Sequence, residues 1–402
     1  MEKFKQLYDM CYKELTGNLL PWWMERSVDE ENGGFWGAVS NANEPVPGAE
    51  KHIVLNARLV WTFASAYRVF GDARYLEYAK RAYKYLVGFF WDHEHGGVYT
   101  LLDAKGAVID DSKMTYGNAF AIYALSEYHR VTGNVWAFKF AAMLAEILDE
   151  RAFDPVNGGY FEVCAREFNH DPWKRGMNRR PNEQKTMNTH LHLIEAYTCL
   201  LRSEPHYKGR VRYQLYNMLN NIINRDTHHF HYFQDIAWKP TTSEVSFGHD
   251  IEGSWLMMEA AEVLNEPEAH EISRPVCVNM ARACLEEGIR PDGGMNSDYN
   301  PVTRHTSTRL SWWEQNETVV GFLNAWQLTG EEKFIDASLK CMELIDQRFV
   351  DHKNGGWFAV LNPDYTPLSQ YKQSGFICPY HNARMCFEVI ERYKNFISHR
   401  EK

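Results

Sequence analysis

Apolar residues recur along this chain with helical spacing, and the apolar stretches come in pairs of unequal character. After Gly71, for example, Tyr75, Ala79 and Ala82 fall on one helical face. Residues 119–125 instead include almost no polar side chain, which is typical of a helix that is buried on most sides. Each pair of stretches therefore predicts one amphipathic outer helix and one buried inner helix.

Glycines mark where one helix of a pair ends and the next begins. A glycine directly after an apolar stretch, followed by a capping or acidic residue, indicates a helix end and a new helix start. This marker occurs three times: Gly71-Asp72, Gly133-Asn134 and Gly330-Glu331. Each repeating unit is thus predicted to contain a helix, a tight turn and a second helix.

A second glycine motif gives the period of the repeat. Five Gly-Gly pairs precede large, mostly aromatic residues: Gly33-Gly34, Gly96-Gly97, Gly158-Gly159, Gly293-Gly294 and Gly355-Gly356. They lie roughly 62 residues apart, except for one gap of two periods, and such a period indicates one supersecondary unit copied along the chain. The missing copy is predicted near residues 228–233, which keep the aromatic residues and lack the glycines.

About six such units fit into the chain, and they predict an all-α fold. Inner helices are predicted to start near residues 52, 114, 186, 247, 311 and 379, and the outer helices include residues 3–20. No unit looks like a polar terminal cap, so we expect closure into an (α/α)6 barrel with hairpins or Gly-Gly loops at one end. The alternative is an open helical solenoid. The unbroken repeat predicts a single domain over residues 1–402.

Composition narrows the function without identifying it. The net charge is −10 and there is no basic stripe, so nucleic acid and anionic membranes are not expected partners. Eight scattered cysteines, no signal peptide and no apolar run of about 18 residues predict a cytoplasmic location. No Cys/His spacing resembles a zinc site. We expect a monomer or a weak homodimer that uses no metal or other cofactor.

Polar residues gather near the predicted starts of the inner helices. In a barrel these starts share one mouth, and every unit contributes: Arg58; Tyr116 and Asn118; Asn188, His190 and His192; His249, Asp250 and Glu252; Trp312, Trp313, Glu314 and Glu317; His381, Asn382 and Arg384. Charged residues and histidines are costly to bury unless they are paired, so packing alone does not explain them. A polar pocket is therefore predicted at this mouth.

Each of these residues also has a purely structural interpretation. His249 and Glu252 share a helical face, and such a pair either orients an imidazole for chemistry or only stabilises the helix. His381 follows Pro379 in a first helical turn, where a lone histidine is often structural. Arg58 lies in an apolar run and needs an anion, which is either a structural carboxylate or a charge that develops during a reaction.

The histidines as a group favour proton transfer without a metal. His190 and His192 point apart on a helix, so they make a poor metal site. Three others in the degenerate fourth copy are predicted to be surface residues: His228, His229 and His231. Histidines on three inner helices, together with Arg58, could take a proton from one face of a carbon and return one to the other.

Four longer motifs carry a family resemblance. They are residues 185–198, 246–252, 312–322 and 378–386, and the likeness also includes residues 31–35 and 116–125. These motifs resemble the cellobiose 2-epimerases of the N-acylglucosamine 2-epimerase superfamily. The resemblance implies an (α/α)6 barrel and cofactor-free epimerisation at C2 of a reducing aldose, through ring opening and a cis-enediolate.

The same resemblance implies a role for each site residue. His249 and His381 would form the acid/base pair, His192 would assist ring opening or binding, and Glu252 would support His249. Arg58 would stabilise the oxyanion that develops at O1 or O2. The substrate-binding residues would be Tyr116, Asn118, Asn188, Trp312, Trp313, Glu317 and Phe376.

Some positions depart from the family pattern. Phe376 stands where a tryptophan is common, and four further departures are His190, Glu314, Asn316 and Ala383. The lost tryptophan weakens the case for stacking a second sugar ring. The predicted substrate is free D-mannose or D-glucose, slightly favoured, or a β-1,4 disaccharide such as cellobiose.

Two other functions remain open on the sequence alone. An aldose–ketose isomerase would use the same enediolate and return the proton to C1, which would convert mannose to fructose. An (α/α)6 glycoside hydrolase would need two carboxylates across a glycosidic bond. The acids that could supply them are Asp250, Glu314 and Glu317.

Overall fold

The computed structural model describes residues 1–169 and 184–400, so residues 170–183 and 401–402 of the predicted domain lie outside the described residues. Thirteen α-helices are found in these two ranges: α1 (Glu2–Glu14), α2 (Leu20–Arg26), α3 (Ile53–Phe70), α4 (Ala73–Tyr85), α5 (Thr115–Thr132), α6 (Val135–Ile147), α7 (Met187–Leu201), α8 (Lys208–Asn217), α9 (Phe247–Leu264), α10 (Pro267–Ala283), α11 (Trp312–Thr329), α12 (Glu332–Leu344) and α13 (Tyr380–Arg400). A 3₁₀ turn, Pro205–Tyr207, precedes α8.

The inner helices begin where the sequence predicts them. Helices α3, α5, α7, α9, α11 and α13 each start within one residue of the predicted position. In α3 every residue from Ile53 to Ala66 is buried. The predicted glycine markers are confirmed as well, because Gly71, Gly133 and Gly330 follow their helices with φ angles of 69°, 67° and 75°.

The outer helices share a feature that the sequence analysis missed. Each of them runs into a five-residue π-helical turn: Leu15–Leu19, Leu86–Phe90, Leu148–Ala152, Met218–Ile222, Cys284–Gly288 and Ile345–Phe349. A π turn widens the last helical turn. The last five of these turns end in an extended residue that leads into the next loop.

The ring of helices is closed, which confirms the (α/α)6 barrel and excludes the open solenoid. Each inner helix packs on the next one along the chain, and α13 packs on α3. The outer helix α1 packs on both α12 and α13, so the beginning and the end of the chain lie side by side. No helix among the described residues is long and apolar enough to cross a membrane.

Short strands join successive units at one end of the barrel. The described residues form fourteen of them: β1 (Val39–Ser40), β2 (Lys51–His52), β3 (Leu101–Leu102), β4 (Val108–Asp110), β5 (Lys113–Met114), β6 (Val163–Cys164), β7 (Lys185–Thr186), β8 (Phe233–Gln234), β9 (Val245–Ser246), β10 (Asp298–Asn300), β11 (His305–Thr306), β12 (Leu310–Ser311), β13 (Val360–Leu361) and β14 (Tyr371–Gln373). The strand before each inner helix pairs with a strand that follows an outer helix, as in β2 with β3 and β9 with β10. The pair β1 and β14 closes the circle.

Buried lysine–aspartate pairs brace four of the six units. Each lysine lies in the strand before an inner helix and contacts an aspartate four residues before a Gly-Gly pair. The pairs are Lys51–Asp29 at 2.7 Å, Lys113–Asp92 at 2.9 Å, Lys185–Asp154 at 2.8 Å and Lys372–Asp351 at 2.7 Å. A buried ion pair requires good geometry, so these contacts fix each loop against the start of its inner helix.

The degenerate fourth unit keeps the shape of the loop without its glycines. His228 adopts a φ angle of 62°, close to the 74° of Gly96 at the equivalent position. Asn224 and Val245 replace the aspartate and the lysine of the other units. The prediction that the missing copy lies near residues 228–233 is therefore confirmed.

Candidate active site

Three histidines and an arginine from four inner helices approach one another at the mouth where the inner helices start. His249 is the third residue of α9, His381 the second residue of α13, and both His192 in α7 and Arg58 in α3 lie one turn deeper. All four side chains are buried. The strand pairs and lysine–aspartate contacts at this end hold the helix starts in place, so the fold positions these side chains.

His381 lies between a carboxylate and two indole rings. Its Nδ1 atom is 2.7 Å from Glu317 Oε1, and its ring centre is 5.7 Å from that of Trp313 and 6.4 Å from that of Trp312. Burial lowers the pKa of His381 well below its usual value, and the cations Arg58 and Arg384 act in the same direction. The imidazole is therefore neutral in the resting protein.

His192 has a carboxylate partner of its own. Its Nδ1 atom is 2.9 Å from Glu195 Oε2, and its ring packs against Tyr116 and Phe120 at 5.1 and 4.7 Å between centres. Burial acts to raise the pKa of Glu195, but Arg384 and His192 outweigh it and lower that pKa to about 2. Because an ionised carboxylate only accepts hydrogen bonds, Nδ1 of His192 carries the proton and Nε2 is free.

His249 is held by a hydroxyl instead of a carboxylate. Its Nδ1 atom is 2.8 Å from Ser246 Oγ, and its ring lies 4.6 Å from Trp313 and 5.6 Å from Tyr232. Burial lowers the pKa of His249 to about 3. Trp313 thus contacts both His249 and His381, so the two imidazoles face one shared space beside its indole ring.

One guanidinium connects the carboxylates beneath these histidines. Arg384 hydrogen-bonds Glu195, Glu252 and Glu317, with 2.7 Å to Glu317 Oε1. Three buried carboxylates therefore share one cation. Burial and repulsion from Glu317 raise the pKa of Glu252.

The predicted support of His249 by Glu252 is wrong. Glu252 Oε1 contacts Arg384 and lies 3.9 Å from His381 Nδ1, while Ser246 occupies Nδ1 of His249. The physical reason is the direction of the two side chains. The carboxylate projects to the barrel axis, where α13 supplies a cation, and the imidazole turns toward the strand that precedes α9.

Arg58 is a buried cation without an anionic partner in the described chain. Its Nη2 atom donates to the Tyr116 hydroxyl at 2.9 Å, and its guanidinium packs 4.2 Å from the Phe120 ring and 4.5 Å from the Tyr380 ring. Its Nε atom has no hydrogen-bond partner. A guanidinium placed in this way is suited to an anion that forms on a bound molecule.

Asn118, Asn188 and Trp312 were also predicted to bind substrate, and their surroundings differ. Asn118 is occupied by the backbone, since its Oδ1 accepts from the Val98 amide at 3.1 Å and its Nδ2 donates to the Met114 carbonyl at 2.8 Å. It braces a loop and is not available to a ligand, which corrects that prediction. Asn188 is half-buried with an unpartnered Oδ1 atom, and Trp312 is buried.

Phe376 lies at the outer edge of the mouth. Its side chain is 41% exposed, and its ring centre is 4.7 Å from that of His52. The position that lacks the family's tryptophan therefore still offers an aromatic ring at the rim.

The prediction that His229 lies on the surface is also wrong. His229 is buried, and its Nδ1 atom lies 2.8 Å from Asp250 Oδ2, whose other oxygen accepts from the Phe230 amide at 2.7 Å. Only His228 and His231 are partly exposed among the three histidines predicted for the surface. The imidazole and Asp250 brace the loop that lacks glycines.

Glu195 and Ser246 also lie in the site and were not predicted from the sequence. The three-residue spacing that linked His249 to Glu252 also links His192 to Glu195, so the same reasoning would have found that pair. Ser246 gave no comparable signal, because a serine before a helix is first of all a capping residue.

The three acids proposed for a glycoside hydrolase are already engaged. Asp250 holds the fourth loop, Glu314 accepts from Ser297 Oγ at 2.7 Å, and Glu317 accepts from Trp255 Nε1 at 3.0 Å besides contacting Arg384. None of them faces a second free carboxylate across an open space, as a hydrolase would require.

One group of side chains has the spacing of a metal site. Ligand atoms of Glu252, Glu317 and His381 lie within 4.8 Å of one another. The Arg384 guanidinium already donates to Glu252 Oε1 and Glu317 Oε1. A second cation at those oxygens would be repelled, so the donor set does not favour a divalent metal.

Comparison with known proteins agrees with this geometry. The family model for N-acylglucosamine 2-epimerase matches residues 34–384. Cellobiose 2-epimerase from Bacteroides fragilis is 42% identical over 383 residues, which cover 94% of this chain and 97% of that protein. Cellobiose 2-epimerase from Ruminococcus albus is 37% identical over 395 residues, with 94% and 97% of the two chains covered.

The fold of this chain is also similar to that of a solved cellobiose 2-epimerase. The cellobiose 2-epimerase from Bacillus thermoamylovorans superposes with a TM-score of 0.91 at 31% identity and covers 96% of this chain and 100% of that one. The chain belongs to the N-acylglucosamine 2-epimerase family, and it is a carbohydrate epimerase. Within the family its similarity is to cellobiose 2-epimerases, which confirms the resemblance drawn from the motifs.

Proposed function

We propose that this enzyme interconverts the glucose and mannose configurations at C2 of a reducing aldose through a cis-enediolate. The observation that carries the proposal is the position of Trp313, whose ring contacts His249 at 4.6 Å and His381 at 5.7 Å. Two imidazoles around one space can act on opposite faces of a carbon. This arrangement allows a stereocentre to be inverted.

Proton removal is the first chemical step after the sugar ring opens. His249 is neutral, because burial lowers its pKa to about 3, and a neutral imidazole is the form that acts as a base. Its Nε2 atom takes the C2 proton, and the electron pair of the C2–H bond moves through C1 to the aldehyde oxygen. Arg58 stabilises the resulting oxyanion, for which such a donor contributes about 3–4 kcal/mol.

Proton return from the other side completes the inversion. The face of the enediolate opposite to the one that lost the proton points toward His381. Glu317 lies 2.7 Å from Nδ1 of His381, and together with the charge on the intermediate it favours the protonated ring. Once the enediolate has formed, Nε2 of His381 takes up a proton from solvent and gives it to C2 while the C1 carbonyl re-forms, and His249 releases the proton it removed to solvent. In the reverse direction the two histidines exchange roles.

His192 fits the ring-opening step. Its Nε2 atom is free, and Glu195 holds its Nδ1 atom. Tyr116 packs against the His192 ring and accepts a hydrogen bond from Arg58. We assign to this imidazole the proton transfer between the ring oxygen and O1 that exposes the aldehyde.

For the substrate we propose a β-1,4-linked disaccharide with a reducing glucose, such as cellobiose. The relatives at 42% and 37% identity are named for cellobiose, and the exposed ring of Phe376 offers a stacking surface for a second sugar at the rim. This reverses the slight preference for a monosaccharide that the loss of the tryptophan suggested.

Product analysis by NMR tests this function. Purified, chelator-treated enzyme is incubated with cellobiose in one tube and mannose in another. We expect the C2 epimer in both, formed faster from cellobiose. A ketose as the main product would show an isomerase, released glucose would show a hydrolase, and faster reaction of mannose would overturn the choice of substrate.

A further inference from the structure

His249 differs from the other two histidines in what holds its inner nitrogen. Nδ1 of His192 contacts Glu195 and Nδ1 of His381 contacts Glu317, whereas Nδ1 of His249 contacts the Ser246 hydroxyl at 2.8 Å. A carboxylate accepts hydrogen bonds and thereby fixes the tautomer of the ring. A hydroxyl both donates and accepts, so by itself it leaves the tautomer open.

A second residue behind Ser246 removes this ambiguity. Ser246 is the last residue of β9, and Asp298 lies directly opposite it in the antiparallel strand β10. Side chains of directly opposed residues project to the same face of a strand pair, within reach of each other. Burial raises the pKa of Asp298, and Arg309 and a hydrogen bond from Ser246 act in the opposite direction.

Resting on the proposed function, we propose that Ser246 and Asp298 are positioning residues that fix His249 as the Nδ1–H tautomer. The Ser246 hydroxyl donates its proton to the Asp298 carboxylate, so its oxygen accepts from Nδ1–H of His249. This leaves Nε2 of His249 unprotonated toward the shared space beside Trp313, as the base role requires.

The chain of hydrogen bonds from His249 through Ser246 to Asp298 also gives the two acid/base histidines different chemical surroundings. A carboxylate in direct contact stabilises an imidazolium when one forms, and Glu317 occupies this position at His381. A hydroxyl orients the ring without placing a full negative charge on it, so His249 stays a neutral base. The groups around His249 that titrate or carry charge are His192, Tyr232, Asp298 and Glu314, with Arg309 beyond Asp298 at 3.9 Å.

Tyr232 is the competing partner for the same hydroxyl. Burial raises the pKa of its phenol, and a hydrogen bond with Ser246 opposes that shift. The phenol oxygen could accept the Ser246 proton and so take the place that the proposal gives to Asp298. Substitution of each residue separately decides between them.

The experiment compares kcat, KM and pH profiles of Ser246→Ala, Asp298→Asn, Ser246→Ala/Asp298→Asn and Tyr232→Phe with wild type. We expect Ser246→Ala to lower kcat about 10- to 100-fold with KM within about 2-fold, as for lost partners that orient a histidine. Asp298→Asn should lower kcat in the same direction, and the double variant should be no slower than Ser246→Ala, because both changes break one chain. The acid limb of the kcat/KM profile should move in both single variants.

Ser254→Ala is the matched control. Ser254 is equally buried on α9, but its hydroxyl donates only to the Ile251 carbonyl, so kcat and the pH profile should stay as in wild type. An unchanged kcat in Ser246→Ala would overturn the proposal. So would additive losses in the double variant, or a loss in Tyr232→Phe with Asp298→Asn unaffected. Wild-type enzyme that does not epimerise would instead refute the proposed function, and the two failures are thus distinguishable.

Discussion

Among the described residues both ends of the barrel are lined by charged side chains, but at the end where the inner helices start one buried cation, Arg58, lacks a carboxylate partner; we call the opposite end the paired end. Where the inner helices finish, Arg68 Nε lies 2.6 Å from Glu127 Oε1 and Arg202 Nη2 lies 2.7 Å from Glu259 Oε1. Where the inner helices start, Arg58 has no carboxylate partner within the described ranges, and the buried atoms Arg58 Nε, Asn188 Oδ1 and Glu252 Oε2 have no hydrogen-bond partner.

This difference supports the proposed active site more strongly than cavity size does. The paired end encloses a cavity of about 550 Å³, lined by arginines and glutamates. Its charges neutralise one another and stabilise the fold. The starts of the inner helices instead leave a cation, free imidazole nitrogens and unpartnered oxygens for a ligand, and these groups cost stability.

The largest expected effect comes from removing an acid/base imidazole. His249→Ala and His381→Ala are each expected to lower kcat about 10²- to 10⁴-fold, because each variant lacks one of the two imidazoles to which we assign proton transfer at C2. Steady-state kinetics with cellobiose and thermal unfolding measure this. His399→Ala, on α13 at the paired end, is the control and should retain activity. Either variant with wild-type kcat would remove that histidine from the mechanism.

The next largest effect is expected for substitution of Arg58, which should lower activity without lowering stability. Arg58→Met is expected to lower kcat about 10²- to 10³-fold, because the developing oxyanion loses its cation. Its free energy of unfolding should stay equal or rise, since the variant no longer buries an unpaired charge. Steady-state kinetics measures kcat, and urea unfolding measures the free energy of unfolding. A destabilised variant would show that Arg58 is structural, and the comparison of the two ends would fail.

Substitution of an arginine at the paired end should lower stability and leave kcat nearly unchanged. Arg68→Met leaves Glu127 buried without its closest cation, and we expect a loss of roughly 2–4 kcal/mol of stability, somewhat below the value for a fully buried pair because Arg68 is partly exposed. The kcat should remain within about 2-fold of wild type. The double variant Arg68→Met/Glu127→Gln should recover part of the stability. A large kcat loss in the single variant would contradict the assignment of this end to stability.

The smallest effect is a pH dependence of stability at the catalytic end. The pKa of His249 is lowered to about 3 from its ordinary value of 6.5. Between these values the unfolded chain binds a proton that the native protein does not, so stability is full above pH 6.5 and falls as pH decreases. The slope from this residue reaches about 1.4 kcal/mol per pH unit. Urea unfolding of His249→Phe from pH 7 to 4.5 should show a shallower decline than wild type; an equal slope would contradict the lowered pKa.

The sequence predicts the parts of the fold that local patterns encode. Three of the inner helices could be placed because a glycine in the left-handed conformation follows them, as Gly71, Gly133 and Gly330 do. The others were placed by the repeat and by their largely apolar residues. Closure followed from the absence of polar end units. The π turns of the outer helices gave no signal, since their residues fit an ordinary amphipathic helix.

The site was predicted as a set of residues but not as a set of contacts. Pairing along one helix suggested that Glu252 supports His249, but the partner of Glu252 is Arg384, more than a hundred positions away on α13. Asn118 looked like a ligand-binding amide, but the loop at Val98 occupies it. Contacts across the barrel depend on where side chains meet at its axis, and one sequence does not contain that information.

The central claim is that two histidines serve opposite faces of C2, and proton exchange in D2O tests it most directly. Cellobiose is converted by wild-type enzyme, and NMR follows the C2 position of product and of remaining substrate from the first few per cent of turnover. We predict product that carries deuterium at C2 from the outset and substrate that keeps its protium, because each histidine exchanges its own proton with solvent. Product that retains the substrate's protium at C2 would show that a single base takes and returns the proton, and would contradict the account.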